Sequence, residues 1–90
     1  MGVLHGGASV LLAETLVTWA ATFAAPPDTA CVGMEINANH LRPVTCGWVI
    51  GTARPIALGR RNQVWEVRIV DDNDRLACIS RCTVAVVERP

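Results

Sequence analysis

This ninety-residue sequence predicts an α+β domain, with one buried helix followed by a four-stranded antiparallel sheet. Two observations carry that expectation. The stretch from Gly6 to Ala25 is apolar on every side of a helical wheel, and such a helix is one that a core or a membrane surrounds. From Val32 onward the period changes: apolar residues recur at strand spacing, in runs separated by turn residues. One helix and then a run of strands on short connections is the pattern of a sheet packed against a helix. The chain makes a single domain, residues 1–90, and it is too small to bury a large core.

Each element has its own signal. In the helix, Ala8, Val10, Leu11, Leu12, Leu16, Val17, Trp19, Ala20 and Phe23 supply the apolar surface. Pro26, Pro27 and Asp28 end it, because proline lacks the N–H and its ring blocks continuation. Val32, Met34, Ile36 and Ala38 alternate with Gly33, Glu35, Asn37 and Asn39, which predicts a first strand with one buried face. A turn-like stretch from Pro43 to Gly47 precedes a second strand, about Trp48 to Ile56. The third places Gln63, Trp65, Val67 and Ile69 on one face and Val64, Glu66, Arg68 and Val70 on the other. Asp71, Asp72, Asn73 and Asp74 form a turn cluster. The last strand, about Leu76 to Val87, is long and apolar on both faces.

Charge and cysteine usage exclude several classes. Eight basic residues, all Arg, balance eight acidic ones without a basic cluster, which argues against nucleic acid or an anionic membrane as partner. Arg without Lys suits phosphate or carboxylate recognition, and equally reflects genomic base composition. Cys31, Cys46, Cys78 and Cys82 have no C-x-x-C pair and no nearby His at zinc-ligand spacing, so no metal is expected. Reduced thiols in a cytoplasmic protein are the plain reading. Gly6 to Ala25 is long enough to span a bilayer, but no positive segment precedes it and Glu14 falls near its centre. A central acidic residue costs about 2.5–3.5 kcal/mol on insertion, so the run reads as a buried helix and no membrane is expected.

Glu14 is the only acidic residue from Met1 to Pro27, and no Arg appears before Arg42. A buried carboxylate is costly unless something uses or satisfies it. The segments around it, LHGGASVLLAETL, VGMEINANHLRP and GTARPIALGRRNQVWEVRIVDDNDRLACISRCTVAV, closely resemble the hotdog-fold acyl-CoA thioesterases. The nearest branch is the one that includes the phenylacetate-pathway, enterobactin-proofreading and dihydroxynaphthoyl-CoA thioesterases. The likeness runs from Gly2 to about Val87, and the combination of H-G-G, the helix glutamate, N-H-x-R-P and L-G-R-R is specific where any one motif is weak.

The resemblance implies a hotdog fold, an antiparallel sheet wrapped around the helix, and hydrolysis of acyl- or aryl-CoA thioesters. Coenzyme A would be part of the substrate, with no separate cofactor. It makes Glu14 the catalytic carboxylate, Gly6 the amide donor, His5 a substrate-positioning residue and Thr18 a hydroxyl partner. It sets Gly59, Arg60 and Arg61 near coenzyme A, whose phosphates suit Arg, with His40 and Arg42 lining the same groove. The motif also has a physical reading: amides at a helix start lack intrahelical partners and carry the positive dipole end. They can hold a carbonyl oxygen as negative charge develops, while Glu14 acts as general base or as nucleophile. Thr18 lies one turn from Glu14 on the same face.

Spacing adds assembly. Glu14 lies eight residues beyond Gly6, about 12 Å along the axis at ~1.5 Å per residue. One carbonyl carbon cannot sit against both groups of one helix, so the expected site draws on two subunits of a homodimer or homotetramer. Blander readings stand beside these. Glu14 can be a carboxylate satisfied by a neighbouring hydroxyl, His5 a helix cap, Thr18 a small contact residue, and Arg60 and Arg61 solvated turn charges. Asn37 and Asn39 read as hydrogen bonders, and Trp19, Trp48 and Trp65 as core or interface. A catalytically inactive subunit that pairs or binds acyl-CoA is the alternative function, and a membrane-anchored small protein is a third.

Three departures from the family pattern are visible. Val17 stands where relatives carry Gly, and Ala57 where a His is common. Relatives also carry a helix, a strand region and a Gln ahead of L-H-G-G. The expectation is an N-terminally incomplete hotdog domain with one sheet edge uncovered, poorly soluble or nearly inactive alone.

Overall fold

The computed structural model describes residues 6–42, 44 and 47–89, with the backbone alone described for residues 6–10. His5, Pro43, Thr45 and Cys46, on which some expectations fall, lie outside the described residues. The order is α1 (Gly6–Ala24), β1 (Thr29–His40), β2 (Val49–Leu58), β3 (Asn62–Asp71) and β4 (Leu76–Glu88). All sheet pairs are antiparallel in the spatial order β1-β4-β3-β2, so β1 and β2 form the two edges. The expected helix and four strands are all present, and β2 begins one residue after the exposed Trp48.

The helix ends where the prolines require. Ala25 still donates its N–H to the Ala21 carbonyl at 2.9 Å, and Asp28 then takes a left-handed φ of 63° that turns the chain into β1. The β3–β4 turn is fixed by Asp71, whose carboxylate accepts from the Asn73 N–H at 3.0 Å, the Arg75 N–H at 2.9 Å and Arg75 Nε at 3.0 Å. Those donors hold the Asp71 carboxyl below the usual carboxylate range, the Arg75 amide contributing most, with burial pulling the other way.

One face of the sheet receives α1. Ala13, Val17 and Ala21 of the helix bury against Trp65, Val67, Ile69, Cys78, Cys82 and Val84. Small residues on the helix let it approach closely. At Gly51 of β2, an added Cβ would stand 2.7 Å from Leu16 Cδ1, so the glycine seats the helix on that edge. Gln63 is also buried on this face, where Trp65 Nε1 donates to its Oε1 at 2.8 Å. That pairing removes the cost of an unsatisfied polar group in a core.

Two expectations are corrected here. The helix is not enclosed on all sides: Leu11, Trp19 and Phe23 remain 64%, 69% and 87% exposed, and the Glu14 side chain is exposed as well. The sheet of a single chain covers one helical face only, and nothing among the described residues covers the other. The alternation of β1 also breaks. Gly33 pairs with Val84 and Glu35 with Thr83, leaving Met34 as an extra residue in a β-bulge. A bulge reverses which parity faces the core, so Cys31 joins Ile36 and Ala38 against the core, while Val32 and Met34 are exposed. Of the three tryptophans only Trp65 is in the core; Trp19 and Trp48 are on the surface.

Candidate active site

The expected catalytic carboxylate sits over a cleft. Between α1 and the β1–β4 pair lies a space of about 330 Å³, with Glu14, Val17 and Thr18 on the helix side. Gly33, Met34, Glu35 and Ile36 of β1 and Cys82, Thr83 and Val84 of β4 form the rest of its lining. The bulge opens it, because the extra residue bends β1 and lets Gly33 and Ile36 both border the cleft despite their odd spacing.

Within the cleft, Glu14 and Thr18 are together, as their one-turn spacing predicts. The Thr18 hydroxyl donates to the Glu14 backbone carbonyl at 2.8 Å, and not to its carboxylate. Thr15 and Thr22 do the same to Leu11 and Thr18, at 2.8 and 2.7 Å. A threonine inside a helix satisfies its own hydroxyl hydrogen this way, so Thr18 offers the cleft only its oxygen lone pairs. It can accept a hydrogen bond from a water there, but it has no proton left to give the carboxylate. Cys82 lies on the floor, its thiol pushed up first by burial and then by the negative charge of Glu14. A thiol held protonated is a poor nucleophile, and the ionisable oxygens of the cleft are the carboxylates of Glu14 and Glu35.

Gly6 is the first residue of α1, and the helix runs unbroken to Ala24 with no acidic side chain in its first turn. Gly6 and Glu14 are therefore about 12 Å apart along one straight axis, and a single chain does not bring them together.

The expected coenzyme A residues are separated as well. Gly59 closes the β2–β3 turn by donating its N–H to the Asn62 carbonyl at 2.8 Å, and an added Cβ would stand 2.8 Å from that same oxygen. This turn displays Arg60 and Arg61, both exposed, on a broad groove of about 960 Å³ shared with Pro26, Thr29 and residues 85–88 of β4. Along β4 their linings are neighbours: Thr83 and Val84 border the cleft, and Ala85 and Val86 the groove. His40 and Arg42 lie at the opposite end. His40 pairs with Cys78, whereas the Arg61 carbonyl accepts from the Val86 N–H. Eight residues of β4 at ~3.4 Å each separate those levels by about 27 Å. The expectation that Gly59, Arg60, Arg61, His40 and Arg42 share one groove does not hold within a chain, because the C-terminal end of β1 and the β2–β3 turn lie at opposite ends of β4.

Sequence reasoning missed the β1 and β4 lining altogether. An isolated glycine inside an alternating strand was the available signal, since it points to a bulge or a close approach. Among the described residues no group of three or more His, Cys, Asp or Glu is placed to hold a metal ion, and no helix is long and apolar enough to cross a membrane.

Residues 1–78 match the thioesterase superfamily. A protein of Vibrio cholerae provisionally named an esterase is 56% identical over 86 residues, covering 96% of this chain and 57% of that protein. The 1,4-dihydroxy-2-naphthoyl-CoA hydrolase of Listeria monocytogenes is 48% identical over 88 residues, covering 98% of this chain and 72% of that one. The crystal structure of a thioesterase from Haemophilus influenzae superposes with a TM-score of 0.94 at 48% identity, over 98% of this chain and 62% of that one. The chain thus spans 57% and 72% of the two curated relatives.

Proposed function

The chain belongs to the thioesterase superfamily, and from that premise we propose that it hydrolyses acyl- or aryl-CoA thioesters to the free acid and coenzyme A. The observation that carries this reading is Glu14 with Thr18 on a largely apolar cleft whose β4 lining adjoins that of the groove bearing Arg60 and Arg61. The Listeria relative's name, a naphthoyl-CoA hydrolase, supports the substrate class.

Glu14, exposed and without a cationic partner among the described residues, takes a proton from a water that Thr18 helps orient. The water oxygen bonds to the thioester carbon, and the resulting oxyanion is held by the Gly6 N–H at the start of a second copy's helix. Collapse breaks the C–S bond, and the proton on Glu14 passes to the departing sulfur. A nucleophilic route through an anhydride begins from the same carboxylate. Arg60 and Arg61 suit the phosphates of coenzyme A, with Gly59 shaping their turn; His40 and Arg42 reach that ligand from the second copy. His5 positions the substrate. Free Cys31, Cys78 and Cys82 fit a reducing, cytoplasmic setting.

Two separations support a homodimer or homotetramer: the ~12 Å between Gly6 and Glu14, and the ~27 Å between the two arginine-bearing ends. The uncovered apolar residues Leu11, Trp19 and Phe23 of α1 give that assembly a surface. The deciding experiment follows coenzyme A release with a thiol reagent over a panel of acetyl-, hexanoyl- and benzoyl-CoA. Hydrolysis above the spontaneous rate is expected; background rates across the panel in a folded, assembled protein would refute the reading.

A further inference from the structure

Four glycines beyond α1 can be compared, and three have a structural reason. Gly47 holds a φ of +83°, Gly51 meets Leu16 at 2.7 Å, and Gly59 meets the Asn62 carbonyl at 2.8 Å. Gly33 has none of these. Its φ is not left-handed, and a Cβ built on it finds no atom within 4 Å. Glycine weakens a strand interior because it packs nothing and loses the most freedom on folding. It adjoins the β1 bulge, but its φ is not the left-handed one that demands glycine and no packed atom excludes a Cβ, and its missing side chain faces the Glu14 cleft.

We propose that Gly33 sets the acyl specificity of this cleft: its empty Cβ position is where a bulky, aryl-type acyl group lies, with Met34 as the adjustable wall beside it. The proposal rests on the thioesterase reading of the same site and names its substrate class. A cavity of about 150 Å³ holds a benzene ring, so about 330 Å³ takes an aryl group together with its thioester carbon. The remaining walls are suited to it, with Val17, Ile36 and Val84 apolar and Cys82 held as a neutral thiol. Met34, the bulged residue, is unbranched and exposed, so it can move to fit different acyl shapes. A side chain at position 33 would occupy part of the cleft that Glu14 and Thr18 also line.

The test is the graded pair Gly33→Ala and Gly33→Val in the full chain. An alanine Cβ meets no atom within 4 Å, and β-branched residues suit strands, so thermal unfolding should show both variants folded. If Gly33→Val fails to fold, Gly33→Ala carries the comparison. Two readouts are taken: kcat/KM for benzoyl-CoA against acetyl-CoA, and the affinities of the unhydrolysable thioethers S-benzyl-CoA and S-methyl-CoA. The benzoyl-to-acetyl ratio should fall stepwise with side-chain size, by about tenfold or more for valine, and the thioether affinities should follow the same order. An unchanged ratio, an equal loss for all substrates, or a change in assembled mass that accounts for the loss would overturn the assignment while leaving the hydrolytic reading in place. Discrimination between thioethers without any turnover would do the reverse, removing the hydrolytic reading and keeping Gly33 as the steric limit. Absence of both binding and turnover in the unsubstituted protein would remove both.

Discussion

Replacing Glu14 by Ala separates a reactive carboxylate from a structural one, because its surroundings give it almost nothing to do for the fold. Its side chain is exposed, and among the described residues it makes no hydrogen bond or ion pair. Surface substitutions of that kind stay within about 0.5 kcal/mol of the parent stability. If Glu14 is the base that activates water, its loss should cost about 10²–10⁴ in turnover, and each decade corresponds to about 1.36 kcal/mol of barrier. The expected barrier increase is thus about 3–5 kcal/mol, several times any change in folding. Glu14→Gln should behave alike, since the amide keeps the shape but cannot take the proton. Cys82 reports on the geometry independently. Its thiol is raised by burial and, secondarily, by the Glu14 charge, so Glu14→Ala should lower its titration midpoint part of the way back, leaving the burial contribution. Initial-rate kinetics, thermal unfolding and the pH dependence of thiolate absorbance measure the three quantities. Near-wild-type turnover in a folded Glu14→Ala protein would sink the catalytic assignment. An unmoved thiol titration would mean that the carboxylate does not overlook the cleft at all.

Mixing a Gly6→Pro protein, which lacks the amide hydrogen, with a Glu14→Ala protein should restore part of the activity, because some mixed assemblies hold one site with both groups intact. Folded, subunit-exchanging mixtures that recover nothing would count against a shared site. Arg60→Ala combined with Arg61→Ala should raise KM for acyl-CoA much more than it lowers kcat, since phosphate contacts far from the carbonyl bind ground and transition states alike; a loss confined to kcat would contradict that. Asp71 should govern acid stability. Its carboxyl titrates below the usual range in the folded chain, chiefly through the Arg75 amide, so its stabilisation is present above the unfolded value of about 3.9 and drains away as pH falls through the folded value. Asp71→Ala should lower the thermal midpoint at neutral pH and flatten its fall below pH ~4; an acid profile parallel to the parent's would refute this.

Much of the fold was legible because local chemistry and global packing agree. Pro26 and Pro27 stop the helix whatever surrounds it, and the Asp71–Asp74 cluster makes a turn from its own side chains. Val67 and Ile69 alternate in a central strand that carries no extra residue of its own, the irregularities beside it falling at Ile56 of β2 and Ala77 of β4. The failures have a common form. The β1 alternation from Val32 to Ala38 hides a bulge, because Met34 is as apolar as a buried residue and no pattern of polarity distinguishes an extra residue from a core one. The composition around Glu14, apolar on all sides, predicts burial, yet apolar surface only says that something covers it. In the single chain the sheet covers Ala13, Val17 and Ala21 and leaves the Leu11–Trp19–Phe23 side bare.

That bare side connects the fold to the placement of the chemistry. A helix apolar all round costs free energy in water unless a second surface meets it, and the groups read as one site are dispersed on the same chain. Gly6 and Glu14 are fixed about 12 Å apart by the helix repeat, a separation no loop motion changes. His40 and Arg60 are held at opposite ends of the sheet by backbone ladders of ten or more residues. Strands and helices are stiff at this scale, so one chain cannot converge these groups by bending. An antiparallel second helix laid on the first covers the exposed apolar residues and brings each Gly6 toward the other's Glu14 in the same step. Under the proposed reading, burial of that helix face and completion of the site are then one event, and a substitution that frees the chains from each other should remove activity even with every catalytic residue in place.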